Sequence, residues 1–208
     1  MEQYFASDPS CESSPVSYTY RFREREFVFE TDAGVFSKGE TDFGTDLLLN
    51  SLPPLSGRTL DLGCGFGVIG ICLAATEPVE AVLSDVNRRA LALAAKNAEK
   101  NHVHAEIRES DGFSNLSGLF DQIVTNPPIR TGKQQIYALF AQSAAHLKED
   151  GRLYLVIRKQ QGAESAKAYL GTLFASVETL ARKKGFYVFC CSGKAEQNDD
   201  QGGTGCEI

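Results

Sequence analysis

An asparagine followed by two prolines, Asn126-Pro127-Pro128, makes a place for an amine. Proline has no backbone N–H, so the segment offers a side-chain amide oxygen and a backbone carbonyl with no competing proline donor. Asn126 precedes a proline, which holds its backbone extended. Two acceptors on the hydrogens of an exocyclic –NH2 favour a pyramidal nitrogen. They expose a lone pair that is otherwise delocalised into a ring. In-line attack on an electrophilic methyl then needs only positioning and orientation. Neither a metal nor a strong base is required, because the nitrogen can shed its proton after transfer. Asn126, Pro127 and Pro128 are the candidate catalytic residues. A plain proline stop at a strand end is the structural alternative.

The methyl donor would lie over a glycine turn. Gly65, Gly67 and Gly70 fit the Gly-x-Gly-x-x-Gly dinucleotide pattern, while Asp61, Gly63, Gly65 and Gly67 fit the Asp-x-Gly-x-Gly-x-Gly turn of S-adenosylmethionine (SAM) enzymes. The glycines alone permit either ligand. A carboxylate ahead of them repels a pyrophosphate and suits a ligand with an ammonium group and no phosphate, which favours SAM. Asp61 could equally cap backbone N–H groups of the turn. Asp85 ends the next strand at a spacing suited to ribose hydroxyls, a role common to NAD and SAM, or else caps the following helix. Asp111-Gly112 can accept from an adenine amino group or simply form a turn. The candidate cofactor residues are Thr45, Asp61, Gly63, Cys64, Gly65, Gly67, Asp85, Val86, Asp111, Gly112 and Asn126.

Strand and helix patterns alternate around these residues. Strands are expected at 59–62, 79–84, 105–108, 122–125, 152–157, 177–181 and 186–191, and helices at 46–51, 68–75, 87–100, 134–147 and 163–174. Gly44 or Thr45 would cap the first helix. Such alternation builds a doubly wound, Rossmann-like α/β sheet, mostly parallel. The turn at 182–185 is too short for a crossover, so the last strand runs antiparallel. Residues 18–30 alternate aromatic and charged side chains with a turn near 23–26, a β-hairpin. Tyr18, Tyr20 and Phe22 share one face, and Phe27 and Phe29 form a second run. The hairpin either lids the main domain or turns Arg21, Arg23 and Arg25 toward RNA. The expected division is a loose leader over 1–16, a domain over 17–194 with the hairpin at 17–34, and a disordered acidic tail over 195–208.

The 208 residues, 42% of them hydrophobic, suit one globular domain. No apolar run approaches a membrane span, and residues 1–8 lack the basic and apolar regions of a secretory signal. Six cysteines without a Cys-x-x-Cys pair, and only three histidines, argue against a zinc site. A reducing cytoplasm is the expected location. The net charge of −6 is unevenly spread. Seven of the 27 acids lie in residues 1–15 and 195–208 and none of the 21 bases does, leaving 21 bases against 20 acids between. A basic face is compatible with that balance; a strongly basic protein is not.

Asp61-Leu-Gly-Cys-Gly65, Asp85, Asp111 and Asn126-Pro-Pro128 resemble, in order and spacing, class I SAM-dependent methyltransferases of amino nitrogens. Gly34-Val-Phe-Ser-Lys38, Asp42-Phe-Gly-Thr45 with Leu47-Leu-Leu49, and Asn126 through Lys133 are similar to the "small" methyltransferase domain of small-subunit ribosomal-RNA guanine-N2 methyltransferases, the RsmC type. The similarity runs from about Tyr18 to Lys194. It implies a seven-stranded sheet with a reversed last strand. It implies that Asp61, Gly63 and Gly65 hold the methionine part of SAM, Asp85 the ribose and Asp111 the adenine. Asn126 and Pro127 would hold the target amine, with Phe36, Ser37, Lys38 and Thr45 lining the pocket upstream. Many amino methyltransferases carry an aromatic after Asn-Pro-Pro to stack on a flipped base; here Ile129 offers an apolar contact only, so stacking comes from Phe36 or Phe43 or is weaker. The best-known bacterial members resemble two fused copies of the domain, and this chain has room for one.

The expected activity is SAM-dependent transfer of a methyl to guanine N2 of ribosomal RNA. Substrate contacts are expected from Phe36, Lys38, Ile129, Arg130 and Lys133. Further RNA contacts would come from the hairpin arginines, Arg158-Lys159 and Arg182-Lys-Lys184, the last placed at either rim of the sheet. The partner would be ribosomal RNA or the small ribosomal subunit, with no membrane or metal, and the protein a monomer or weak dimer. The alternatives are another RNA, a protein glutamine amide, an NAD-linked oxidoreductase, or a non-enzymatic RNA-binding subunit.

Overall fold

The computed structural model describes residues 12–35, 39–127 and 132–195. Phe36, Ser37, Lys38, Pro128, Ile129, Arg130, most of the leader and nearly all of the tail lie outside the described residues. A seven-stranded sheet is built from β3 (Gly57–Leu62), β4 (Val79–Asp85), β5 (Glu106–Glu109), β6 (Phe120–Thr125), β7 (Leu147–Arg158), β8 (Phe174–Lys183) and β9 (Phe186–Lys194). Its order is β5-β4-β3-β6-β7-β9-β8. β9 enters between β7 and β8 and runs antiparallel to both; β5, β4, β3, β6 and β7 pair parallel. The chain leaves β3 toward β4 and β5, then returns on the other side as β6. That reversal opens a crevice beyond the carboxyl ends of the strands.

Alternate strand residues feed two cores. On one face Leu83, Val124, Tyr154 and Val188 pack with helices α1 (Phe43–Ser51), α2 (Val68–Thr76) and α3 (Arg88–Lys100). On the other, Leu60, Val82, Ile123 and Leu155 pack with α4 (Lys133–Ala145) and α5 (Ala163–Leu170). Among the described residues no helix is long and apolar enough to cross a membrane.

Some boundaries differ from expectation. α1 begins at Phe43 because Asp42 is its cap: the carboxylate accepts from the Gly44 and Thr45 backbone N–H groups. Leu147 and Phe174 are not helix ends. Both are buried and open strands β7 and β8, Leu147 opposite Phe120 and Phe174 opposite Lys194. Arg182 and Lys183 belong to β8, so the closing turn shrinks to Lys184-Gly185. Leader residues 13 and 14 are also engaged: the Ser13 hydroxyl and the Ser14 N–H donate to the Asp32 carboxylate.

The hairpin of β1 (Val16–Phe22) and β2 (Arg25–Thr31) lids the α2–α3 side of the sheet. Tyr18 pairs with Phe29 and Tyr20 with Phe27, so these rings share one face instead of forming two runs. Phe22, Phe27 and Phe29 are wholly buried. Its turn points away from the crevice. Arg23 pairs with Glu77, and Arg25 donates to the carbonyls of Ala75 and Asn101, at the carboxyl ends of α2 and α3. Arg23 and Arg25 therefore anchor the lid on the rim opposite the crevice, while Arg21 is exposed and pairs with Glu24 at the hairpin's own turn.

Two asparagines one helical turn apart close the free edge of β2. Asn97 accepts from the Glu30 N–H and donates to the Glu30 carbonyl; Asn101 does the same for Val28. A helix thus imitates a third strand, satisfying alternate peptide groups of an edge that would otherwise be unpaired. Asn97 also donates to the Phe66 carbonyl in the glycine turn. Asn97→Ala strands several buried backbone groups and should destabilise the protein by about 3 kcal/mol or more. Chemical denaturation of wild type and variant measures this; a loss under about 0.5 kcal/mol would show the edge to be satisfied in another way.

Candidate active site

The glycine turn joins β3 to α2 across the crevice floor. Gly63, Gly65 and Gly67 adopt φ of 71°, 54° and 93°, a region open to glycine at little strain. They divide by surroundings. A Cβ at Gly63 or Gly65 would meet nothing within 4 Å, so both face open space. A Cβ at Gly67 would lie 2.9 Å from Ile71 and 3.3 Å from Ala94. Gly67 therefore packs the turn against α2 and α3 and does not belong with the crevice-facing residues. At Gly70 a Cβ would meet Leu83 at 2.4 Å, which sets how closely α2 lies on β4. The N–H groups of Gly63 and Cys64 both donate to the Ser84 carbonyl, which folds the turn over the end of β4.

Asp61 is 2% exposed. One carboxylate oxygen, Oδ2, accepts from the Gly70 N–H at 2.8 Å, linking strand to helix. The other, Oδ1, is buried without a partner among the described residues. Burial pushes the Asp61 carboxyl up to about 7; the Gly70 hydrogen bond opposes the rise and the charge of Asp85 adds to it. Asp85 accepts from the N–H groups of Gly65 and Asn87, and burial raises it also. Asn87, not Asp85, caps α3, accepting from the Ala90 N–H. The Cys64 thiol, raised by burial, points to the Gly65 carbonyl at 3.4 Å.

A cleft of about 950 Å³ runs over this turn. It joins Gly63, Cys64, Gly65, Asp85, Val86, Asp111 and Gly112 with Thr45 and Asn126. Asn126 stands at the carboxyl end of β6, beside β3. Its amide –NH2 donates to the Thr45 hydroxyl at 3.0 Å and to the Asp42 carboxylate at 3.3 and 3.4 Å. A carboxylate only accepts, so this contact fixes the amide orientation and leaves the Asn126 oxygen without a partner among the described residues. Thr45 is thereby placed at the amide end of the cleft and not at the glycine end. Pro127 is buried. Lys133 opens α4 with its ammonium 5.3 Å over the Tyr137 ring and does not line the cleft.

Two lining residues, Asp42 and Phe186, went unassigned in the sequence, while Phe43 stood as a stacking candidate. Asp42 carries two roles, helix cap and partner of Asn126; its place before Phe43-Gly44-Thr45 is a cap signal that competed with Thr45 itself. Phe43 and Phe186 line the mouth with ring centroids 5.5 Å apart. Gly44 permits that approach, since a Cβ there would lie 3.1 Å from the Phe186 ring. Phe186 pairs with Arg158, so the β8–β9 turn stands on the crevice rim. The Arg158 guanidinium lies 5.3 Å over Phe186 and the Lys184 ammonium 4.7 Å over Phe43. The Lys159 N–H ties the two segments, donating to the Gly185 carbonyl at 2.7 Å. No signal local to Phe186 or Lys184 announces this meeting. No cluster of candidate metal ligands occurs among the described residues.

Residues 26–190 match the family model described as the methyltransferase small domain. The chain belongs to the methyltransferase small domain family. It is similar to YbxB, an uncharacterized protein of Bacillus subtilis, with 44% identity over 90% of this chain and 96% of that one. It is 40% identical to ribosomal RNA small subunit methyltransferase C of Pseudoalteromonas atlantica, over 76% of this chain and 47% of the relative. Among solved structures, the T. thermophilus 16S rRNA N2 G1207 methyltransferase (RsmC), in complex with AdoMet and guanosine, superposes with a TM-score of 0.79. Its identity is 26%, covering 86% of this chain and 51% of that one. The chain thus spans about half the length of those named methyltransferases. The family makes this domain a SAM-dependent methyltransferase, and the NAD alternative for Gly65–Gly70 falls.

The glycines separate binding from folding. Gly65→Ala places a methyl in the open cleft and adds only the strain of a left-handed backbone, about 1 kcal/mol, so the fold should persist while S-adenosylhomocysteine binding weakens by about tenfold or more. Gly67→Ala adds a clash to backbone strain and should lower stability by about 3 kcal/mol. Calorimetric titration and thermal melting test the pair; full binding by Gly65→Ala would contradict the assignment of that space to ligand.

Proposed function

We propose that the domain transfers the methyl of SAM to an exocyclic amino group, guanine N2 of small-subunit ribosomal RNA. One observation carries the proposal: the Asn126 amide, oriented by Asp42 and Thr45, has an oxygen without a partner among the described residues and lines the same cleft as the open glycine turn. The cofactor site fits SAM on its own features. The space over Gly63 and Gly65 admits the amino-acid end, and the unpartnered Asp61 oxygen, buried behind that turn and outside the cleft lining, would attract its ammonium across the turn. Asp85, with Val86 beside it, would take the ribose hydroxyls, and Asp111 and Gly112 the adenine.

When bound, SAM supplies an electrophilic methyl on a sulfonium. The Asn126 oxygen, with the backbone carbonyl beside it, accepts the two hydrogens of the target amine and directs its lone pair. The methyl so supplied would bond to that nitrogen, the S–C electron pair would stay on sulfur, and the nitrogen would lose one proton to solvent. Phe43 and Phe186 offer aromatic faces in place of the one absent after Asn-Pro-Pro. Arg158, Lys159, Arg182, Lys183 and Lys184 gather basic charge on the crevice rim, which suits an RNA backbone. Similarity to rRNA methyltransferases supports RNA as the substrate class.

Labelled SAM incubated with ribosomal RNA and small subunits from a deletion strain should yield labelled N2-methylguanosine on nucleoside analysis. Label confined to protein would overturn the substrate class. Asn126→Ala should keep cofactor affinity and lose transfer by about a hundredfold or more; undiminished transfer would remove Asn126 from the mechanism.

Binding should also follow pH. The Asp61 carboxyl sits above its usual range, so free protein holds it neutral below about 7. Stability from this group is fullest at acid pH and declines as pH rises from the ordinary carboxyl range to about 7. Partnership with an ammonium needs the ionised form. S-adenosylhomocysteine affinity should fall as pH drops from 8 through 7, approaching about tenfold per unit below it. Calorimetry across that range checks this, and Asp61→Asn should flatten the profile.

A further inference from the structure

Three kinds of amine could meet the Asn126 oxygen: a guanine, another amino base, or a glutamine amide. They differ at the atom beside the amine. In guanine the neighbour N1 carries a hydrogen. In adenine, in cytosine and in a glutamine amide the neighbouring nitrogen or oxygen carries a lone pair. What stands next to the Asn126 amide therefore reads the difference.

Asp42 stands there. Its two oxygens are unequally engaged. Oδ1 accepts from the Gly44 N–H at 2.9 Å, the Thr45 N–H at 3.2 Å and the Asn126 –NH2 at 3.3 Å. Oδ2 has the long 3.4 Å contact to the Asn126 –NH2 and no other hydrogen bond among the described residues. Asp42 lines the cleft together with Asn126. An acceptor with spare capacity thus adjoins the acceptor for the target amine.

We infer that Asp42 is the specificity-determining residue for guanine: its Oδ2 accepts the N1–H while the Asn126 oxygen accepts from N2. The inference rests on the guanine-N2 proposal above and sharpens it. A base with a lone pair at the neighbouring position sets that lone pair against a carboxylate and is rejected, because an unpaired or repelled polar atom in a closed site loses far more than a missing contact. Guanine presents adjacent donors and is accepted. Asp42 makes this choice from a rigid base, since the same carboxylate caps α1 and holds the Asn126 amide. Thr45 backs it through the backbone N–H and through its hydroxyl on Asn126.

Asp42→Asn separates selection from structure. Asparagine caps a helix as well as aspartate, so α1 is retained. With its oxygen turned to the Gly44 and Thr45 N–H groups, the new side chain sets –NH2 where Oδ2 was, a donor in place of an acceptor. The probes are guanosine and 2-aminopurine riboside, which keeps the 2-amino group but has an unprotonated N1. Each is titrated by calorimetry or NMR into the full chain saturated with S-adenosylhomocysteine. Wild type should prefer guanosine by about tenfold or more, the ratio for one hydrogen bond to a charged acceptor. In Asp42→Asn that preference should shrink about tenfold or invert, with melting temperature and S-adenosylhomocysteine affinity unchanged. A merely structural role would weaken both nucleosides alike. An equal preference in wild type and variant overturns the role of Asp42 while leaving the guanine proposal standing. Methyl label from the wild-type enzyme on adenine, cytosine or glutamine overturns the guanine proposal and this inference with it.

Discussion

A carboxylate buried at the end of β3, with one oxygen bound and the other bare, is the constraint on which the site depends. Asp61 can be dry only if something supports it. The Gly70 N–H does so from the first turn of α2, and that contact requires the strand, the turn and the helix to lie close together. Glycine at positions 67 and 70 is what allows the approach, since side chains there would strike Ile71 and Leu83. The second oxygen finds no partner among the described residues, so ionising Asp61 costs stability, and the carboxyl is pushed up.

The second organising contact lies outside the cleft. Asn97 and Asn101 supply a helix-borne partner for β2, and Asn97 reaches on to the Phe66 carbonyl. The hairpin, α3 and the glycine turn are therefore one hydrogen-bonded unit. Asn87 extends it by donating to the Gly34 carbonyl, where the chain leaves the hairpin for the cleft. The lid carries aromatic side chains into the core and its arginines away from the mouth. Charge near the mouth comes instead from the far end of the chain, through β9.

The cleft exists because β3 has neighbours on both sides that arrive by different routes. β4 brings Asp85 and β6 brings Asn126 to the same rim. Antiparallel insertion of β9 then places Phe186 beside Arg158 and brings Lys184 over Phe43. One end of the cleft accepts hydrogen bonds, one is open over glycines, and the mouth is aromatic and basic.

Residues acting through short-range chemistry were legible before any fold was known. Strand–glycine–helix at 58–70 is a local event, and so is the restraint that Pro127 imposes on Asn126. The reversed last strand followed from a turn too short for a crossover, and the sheet from the period of its apolar residues. What tertiary structure decided was which long-range partner each polar group found. Asp42 resembled any residue before a helix until Asn126, 84 positions away, was seen to share it. Arg23 and Arg25 alternate with aromatics as a nucleic-acid edge would, yet Glu77 and the carbonyl ends of α2 and α3 claim them. Helix and strand patterns record backbone periodicity, which is written in neighbours along the chain. A side chain's hydrogen-bond partner is set by how sheets and helices stack, and that is written nowhere in its own neighbourhood. The sequence by itself determined a SAM-type glycine turn and an asparagine held extended before two prolines; only the fold put Asp42 beside that asparagine and the basic turn at the mouth.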